Sequence, residues 1–152
     1  MSKIDLKAFG PLAVLAGTWQ GSMGDDTAPG DDRDVEKNAF REQIVFTPMT
    51  STANHEQLLF AMSYTRTAWR LKEEDPFHQQ LGYWLWDPTA KQVMHSFMIP
   101  RGVAVLAGGS GGSGFHNSKG GCNAGFPDFW NPFESISGPR IQDPSISGDA
   151  YP

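Results

Sequence analysis

The sequence predicts an all-β fold, an antiparallel barrel or sandwich, followed by an irregular C-terminal tail. Three observations predict it. Short runs with period-2 alternation of apolar and polar residues recur between about residues 40 and 107, with turn-forming residues between them and no long helical period. The length of 152 residues accommodates one ordinary domain, for which about 100–200 residues is usual. Composition then breaks: Met1 to Ala107 holds 7 Gly and 6 Pro, whereas Gly108 to Pro152 holds 10 Gly, 5 Pro and 7 Ser in 45 residues. The first part reads as a folding sequence, and the second mostly does not.

The elements follow in order. Phe9 to Gly17 suggests a short helical turn, with Pro11 near its start and Gly17 at its stop. Thr18 to Met23 reads as a strand interrupted by glycine, and the acidic stretch Gly24 to Asp34 as a solvated loop. In Phe40 to Phe46 one parity carries Phe40, Ile44 and Phe46 and the other Arg41, Gln43 and Val45, the pattern of a half-buried strand. Pro48 to Asn54 is a turn-rich loop. Glu56 to Leu71 is a long strand with Leu58, Phe60, Met62 and Tyr64 on one face; its Thr, Tyr and Trp content favours strand over helix. Gln79 to Trp86 is aromatic and extended, Asp87 to Lys91 is a hairpin turn, and Val93–Ile99 and Val103–Ala107 are strands separated by Pro100-Arg101-Gly102.

Composition excludes several function classes. The net charge of −5 carries no basic patch of the kind a nucleic-acid binder needs. No apolar run approaches the roughly 18–20 residues of a membrane helix. Asp5 stands where a signal peptide would begin its apolar core, so a soluble cytoplasmic protein is expected. A lone Cys122 makes neither an internal disulfide nor a thiolate metal cage.

Three blocks carry a resemblance. Pro11-Leu-Ala-Val-Leu-Ala-Gly17-Thr-Trp19-Gln-Gly21 is similar to the opening of the nitrobindin-like haem-binding β-barrels, which are fatty-acid-binding-protein-like or lipocalin-like and carry a Gly-x-Trp-x-Gly-x-Gly motif. Gly17, Trp19 and Gly21 match; Met23 stands where the last glycine should be, and Gly24 is one place late. His78-Gln-Gln-Leu-Gly82-Tyr83 resembles the family's His-x-x-x-Gly-Tyr strand, and Val93 to Gly102 the strand leading into its Pro-x-Gly turn. The blocks come in family order over about residues 9–109. The resemblance implies an up-and-down barrel of ten strands with an apolar pocket for haem b. It also implies nitric oxide or peroxynitrite chemistry at ferric iron, as in a peroxynitrite isomerase, and an axial histidine on a late strand. No residue here matches that axial position.

Haem needs an apolar slot, an axial donor and polar groups near its propionates. Trp19, Phe46, Met62, Tyr64, Trp84, Phe97 and Met98 are candidate walls, each of which also reads as ordinary core. The candidate cofactor-binding residues are Trp19, His78, Tyr83, His95 and Arg101. His95 shares strand parity with Phe97 and Ile99 and so points inward, whereas His78 suits a pocket mouth; either is a candidate metal ligand, although a histidine on an apolar face is more often a hydrogen-bonded core residue. Arg101 suits either a propionate or a turn cap. His55 and His116 lie in loop-like sequence. A second function class remains open, a non-catalytic carrier of a small hydrophobic ligand such as a fatty acid, and a third reading is a truncated, non-functional product.

These expectations divide the chain into residues 1–109, the N-terminal part of a barrel, and residues 110–152, an irregular Gly/Ser/Pro-rich tail. Five or six strands cannot close a barrel of ten, so an incomplete barrel is expected, with Phe126, Phe129, Trp130 and Phe133 available to pack on its uncovered face. The tail reads as a natural flexible extension, an engineered scar or a frameshift. Shifted forward by one nucleotide, Asp128 to Gly138 permits Thr-Phe-Gly-Ile-Leu-Ser-Asn-Pro-Phe-Leu-Asp, which resembles a stretch of longer family members. The frameshift reading predicts a single-base insertion or deletion near the codons for Ala107 to Phe115. Reading the coding DNA in all three frames checks it, and no barrel-like continuation in either other frame would refute it.

Overall fold

The computed structural model describes residues 4–110 together with Arg140 and Ile141. A 3-10 helix, Leu6–Leu15, comes first. The Asp5 carboxylate caps it by accepting from the Lys7 N–H at 3.0 Å. Gly10, at φ 53°, kinks it, so that Phe9, Leu12 and Leu15 are buried together. Eight strands follow: β1 (Gly17–Pro29), β2 (Val35–Pro48), β3 (Thr52–Asn54), β4 (Gln57–Arg70), β5 (His78–Asp87), β6 (Gln92–Ile99), β7 (Val103–Ser110) and β8 (Arg140–Ile141). They pair antiparallel in the order β7-β6-β5-β4-β2-β1-β8, with short β3 folded onto the start of β4. This is the all-β, up-and-down arrangement expected. Among the described residues β7 has no partner beyond β6 and the sheet they form is not closed, which fits the expected incomplete barrel.

The alternation read from sequence is realised as two faces. On β2, Phe40, Glu42, Ile44 and Phe46 are buried, and on β4, Met62, Tyr64 and Ala68. β5 contributes Trp84 and β6 contributes Val93 and His95. Phe9, Leu12 and Leu15 of the helix pack on Ile44, Phe46, Met62, Tyr64, Trp84 and Val93, so the helix covers one end of this inner face. Full burial of such side chains stabilises by about 1.5–3 kcal/mol each. No helix among the described residues is long and apolar enough to cross a membrane.

Two expectations are corrected. The acidic segment after Gly24 is not all loop: β1 runs on to Pro29 and pairs Asp25 through Pro29 with Ala39 through Val35, leaving a tight connection at Gly30–Asp34. Local charge disfavours strand, but a cross-strand partner satisfies the backbone, Asp25 stays exposed and Asp26 lies half-buried beside Arg70. The loop after Pro48 likewise contains β3, paired with Gln57–Leu59.

The displaced glycine of the first motif has a structural account. The β1–β2 register slips between Gly21 and Gly24: Gly21 faces Glu42 and Gly24 faces Phe40, so one extra residue is taken up on β1. The irregularity returns Gly24 to the inner face, where a Cβ would overlap the Phe40 ring. Gly82 is required for a different reason: a Cβ there would lie 2.7 Å from Phe97 Cα and still closer to the Ser96 carbonyl oxygen, both backbone atoms of β6. Gly82→Ala is therefore expected to cost about 1–3 kcal/mol by overpacking, whereas Gly109→Ala, with open space around its Cβ, is expected to change stability by less than about 0.5 kcal/mol. Urea unfolding of both variants checks the contrast; equal effects would refute it.

Candidate functional site

The inner face is graded along the strands. At the helix end it is apolar, with Ile44, Phe46, Met62 and Trp84 all 2% exposed or less. Toward the other end the same strands turn polar: β2 presents Glu42, β4 Arg66 and Arg70, and β5 Gln80 and His78. The face thus runs from buried rings at one end to charged and polar groups at the other.

At the boundary between the two halves lies His95. Its ring stacks on Trp84 with centroids 4.0 Å apart and planes at 14°, and it adjoins Phe97 at 4.8 Å and Tyr64 at 5.3 Å. The cross-strand register sets this up, since Trp84 lies directly opposite His95. The Tyr64 hydroxyl is 2.7 Å from His95 Nε2, and Gln80 Nε2 donates to the same hydroxyl. His78 Nε2 lies 3.3 Å from Gln80 Oε1. Glu42 and Arg66 form a second unit: Arg66 donates to Glu42 Oε2 from both Nε and Nη2, each at 2.7 Å. A buried carboxylate is tolerable here because a guanidinium binds it through two N–H groups.

Burial governs the titrations. His95 is pushed down to about 4 by desolvation, so the imidazole is neutral at pH 7. Tyr64 is pushed up to about 12, again by burial, with the Gln80 hydrogen bond and the Arg66 charge acting weakly in the opposite direction. Burial also lowers His78; its hydrogen bond to Gln80 offsets part of this, and the Arg66 and Arg101 charges lower it further.

Phe77 organises the rim. Its ring meets Phe40 edge-on at 5.8 Å, and the Arg70 guanidinium lies 5.1 Å above it. Arg70 Nη2 is 3.7 Å from Asp26, and Arg101 Nη2 donates to the Phe77 carbonyl at 3.3 Å. Two guanidinium groups thus flank one aromatic residue where the inner face opens.

The sequence-predicted residues are therefore dispersed. His95 is in the interior, and His78 reaches it through Gln80 and Tyr64. Trp19 is half-buried at the helix end, where its indole N–H donates 2.8 Å to the Leu15 carbonyl and ties the helix to β1. Arg101 is exposed in the β6–β7 turn, where it braces Phe77. Tyr83 is on the outer face, 46% exposed, because Gly82 and Trp84 occupy the inward positions of β5. Met98 likewise points outward, 59% exposed, so of the pair Phe97 and Met98 only Phe97 packs against the core. His55 lies exposed in the β3–β4 turn. His116 and the aromatic residues Phe126, Phe129, Trp130 and Phe133 lie outside the described residues. The sequence reading missed Glu42, Arg66, Arg70 and Gln80. The signal available for the first two was a charged residue on an otherwise apolar strand parity.

A helix-capped, antiparallel up-and-down sheet, graded from aromatic depth to cationic rim, is of the small β-barrel class. The sequence profile of the THAP4-like, heme-binding beta-barrel domain matches residues 8–118, and the chain belongs to that family. The match bears out the resemblance to nitrobindin-like haem-binding barrels and supports haem as the cofactor. No curated protein matches the sequence. Among the described residues no cluster of three or more His, Cys, Asp or Glu side chains is placed to hold a bare metal ion. His95 is the nearest nitrogen donor to the aromatic wall, and its Nε2 is engaged by Tyr64. The residues present fit the walls and rim of a haem site.

The depressed His95 pKa carries a stability signature. In the unfolded chain His95 binds a proton near pH 6.5, whereas in the folded protein it does so only near 4, so its contribution is fully present above pH 6.5 and is lost as pH falls toward 4. The loss is at most about 1.4 kcal/mol per pH unit over that window. Urea midpoints measured from pH 7 to pH 4.5 are expected to fall more steeply for the wild type than for His95→Leu. Parallel slopes would contradict the assignment.

Proposed function

We propose that this chain binds ferric haem b against the inner face of its sheet, with the macrocycle along Tyr64, Trp84 and Phe97 and the propionates toward the rim. The observation that carries this reading is the gradient along one face, aromatic and neutral at depth and cationic where it opens. A flat, largely apolar group bearing two carboxylates at one edge matches that gradient. Arg70 and Arg101, on either side of Phe77, are the propionate partners in this reading. Arg66 is not, because Glu42 already holds its guanidinium. The same pairing argues against a fatty acid anchored by its carboxylate inside the sheet.

Within the site, Trp84 and Phe97 exclude water from the inner wall, while Tyr64 and His95 place a hydroxyl and a neutral imidazole beside it. Bound ferric haem supplies an iron at which nitric oxide and peroxynitrite react, and the family resemblance supports that chemistry as the activity. A hydroxyl pushed up to about 12 keeps its proton throughout the neutral range, so Tyr64 contributes a hydrogen bond and no negative charge. The axial histidine expected from the resemblance belongs to a later strand, and neither His95 nor His78 matches its position.

Titration of the full chain with ferric haem tests the proposal. A saturable Soret shift at one haem per chain is expected. The double substitution of Arg70 and Arg101 to Gln is expected to weaken binding roughly 5- to 10-fold, the scale of one or two exposed ion pairs. No saturable change with stoichiometric haem would overturn the reading; binding that oleate displaces equally well would favour the hydrophobic carrier. If neither His78→Ala nor His95→Ala changes the affinity, axial ligation by either residue is excluded.

A further inference from the structure

Four side chains on the inner face are joined by hydrogen bonds whose direction is set by the Gln80 amide, which donates to the Tyr64 hydroxyl. His78 Nε2 faces Gln80 Oε1, which only accepts, so His78 carries its proton on Nε2. The amide so oriented turns its Nε2–H toward the Tyr64 hydroxyl oxygen. A hydroxyl whose oxygen accepts still has one proton to donate, and His95 Nε2 lies 2.7 Å away. His95 must then accept at Nε2 and hold its own proton on Nδ1. The cross-strand register makes the chain possible, pairing Ala68 with His78, Arg66 with Gln80, Tyr64 with Gly82 and Trp84 with His95.

We infer that Gln80 is a positioning residue that locks the Tyr64 hydroxyl onto His95 Nε2, closing the lone pair of the buried imidazole to any ligand in the barrel interior. A primary amide presents a donor on one side and an acceptor on the other, so the side it turns to Tyr64 decides which way the hydroxyl points. With the amide reversed, Tyr64 would donate to Gln80, and His95 would have to donate from Nε2 instead. The consequence for a ligand rests on the reading of the interior as the haem chamber; the tautomer itself does not.

Long-range ¹H–¹⁵N correlation spectra of the ligand-free, full-length protein, labelled on histidine, read the tautomer directly. In the wild type at pH 7, His95 is expected to show a single tautomer with protonated Nδ1 and unprotonated Nε2. Gln80→Glu places an accepting group on both sides, so Tyr64 turns to it and the His95 pattern is expected to invert. Gln80→Met removes the lock without imposing the opposite one and is expected to give mixed tautomers; it carries the test if Gln80→Glu does not fold. A protonated Nε2 in the wild type, or a wild-type pattern kept in Gln80→Met, would overturn the inference. Because no haem is present, a failed haem titration would count against the ligand reading alone.

Discussion

An antiparallel sheet with one apolar face must cover that face, and the rest of this structure depends on how the N-terminal helix does so. Phe9, Leu12 and Leu15 lie on Ile44, Phe46, Met62 and Trp84, contacts between residues far apart in the chain. Trp19 ties the end of the helix to the first strand through its indole N–H. With the helix occupying one end of this face, the polar residues of the same strands lie toward the opposite end.

Glu42, Arg66, Tyr64, Gln80 and His95 survive burial because each has a partner on another strand. A buried carboxylate without a counterion, or a buried hydroxyl without an acceptor, costs several kcal/mol. Glu42 is matched by the fork of Arg66, and Tyr64 is held between Gln80 and His95. His95 loses affinity for a proton in the same surroundings, which leaves it neutral and able to accept from a hydroxyl. The antiparallel register supplies these partners without loops: Arg66 sits directly across from Gln80, and Trp84 directly across from His95. A rigid sheet therefore fixes the interior geometry to the precision of its ladder.

Much of the fold was legible. Phe40, Ile44 and Phe46 alternate with polar residues, as do Met62 and Tyr64 with theirs, and both runs form strands with the inward side as read. His95 was placed inward by the same logic. The far end of β1 was not legible, because Asp25 and Asp26 look like loop until a partner strand pairs with them. Tyr83 and Met98 were assigned to the site by motif and by size, but period-2 alternation sends both outward once Gly82 and Phe97 are fixed inward. Glu42 and Arg66 stood 24 residues apart, and a charge on an apolar parity becomes interpretable only when its counterion is seen beside it.

The sequence by itself determined the strand periodicity, the turn chemistry and the family motifs, since these depend on neighbours a few residues away. It also marked the change of composition at Gly108. Only the tertiary structure decided which polar groups meet, that the shifted Gly24 rejoins the inner face through a register slip, and that His95 is bonded to Tyr64 rather than bare. The physical reason is separation along the chain: Tyr64 and His95 are 31 residues apart, and their contact follows from three strands' register, each set by burial of one face against a common helix.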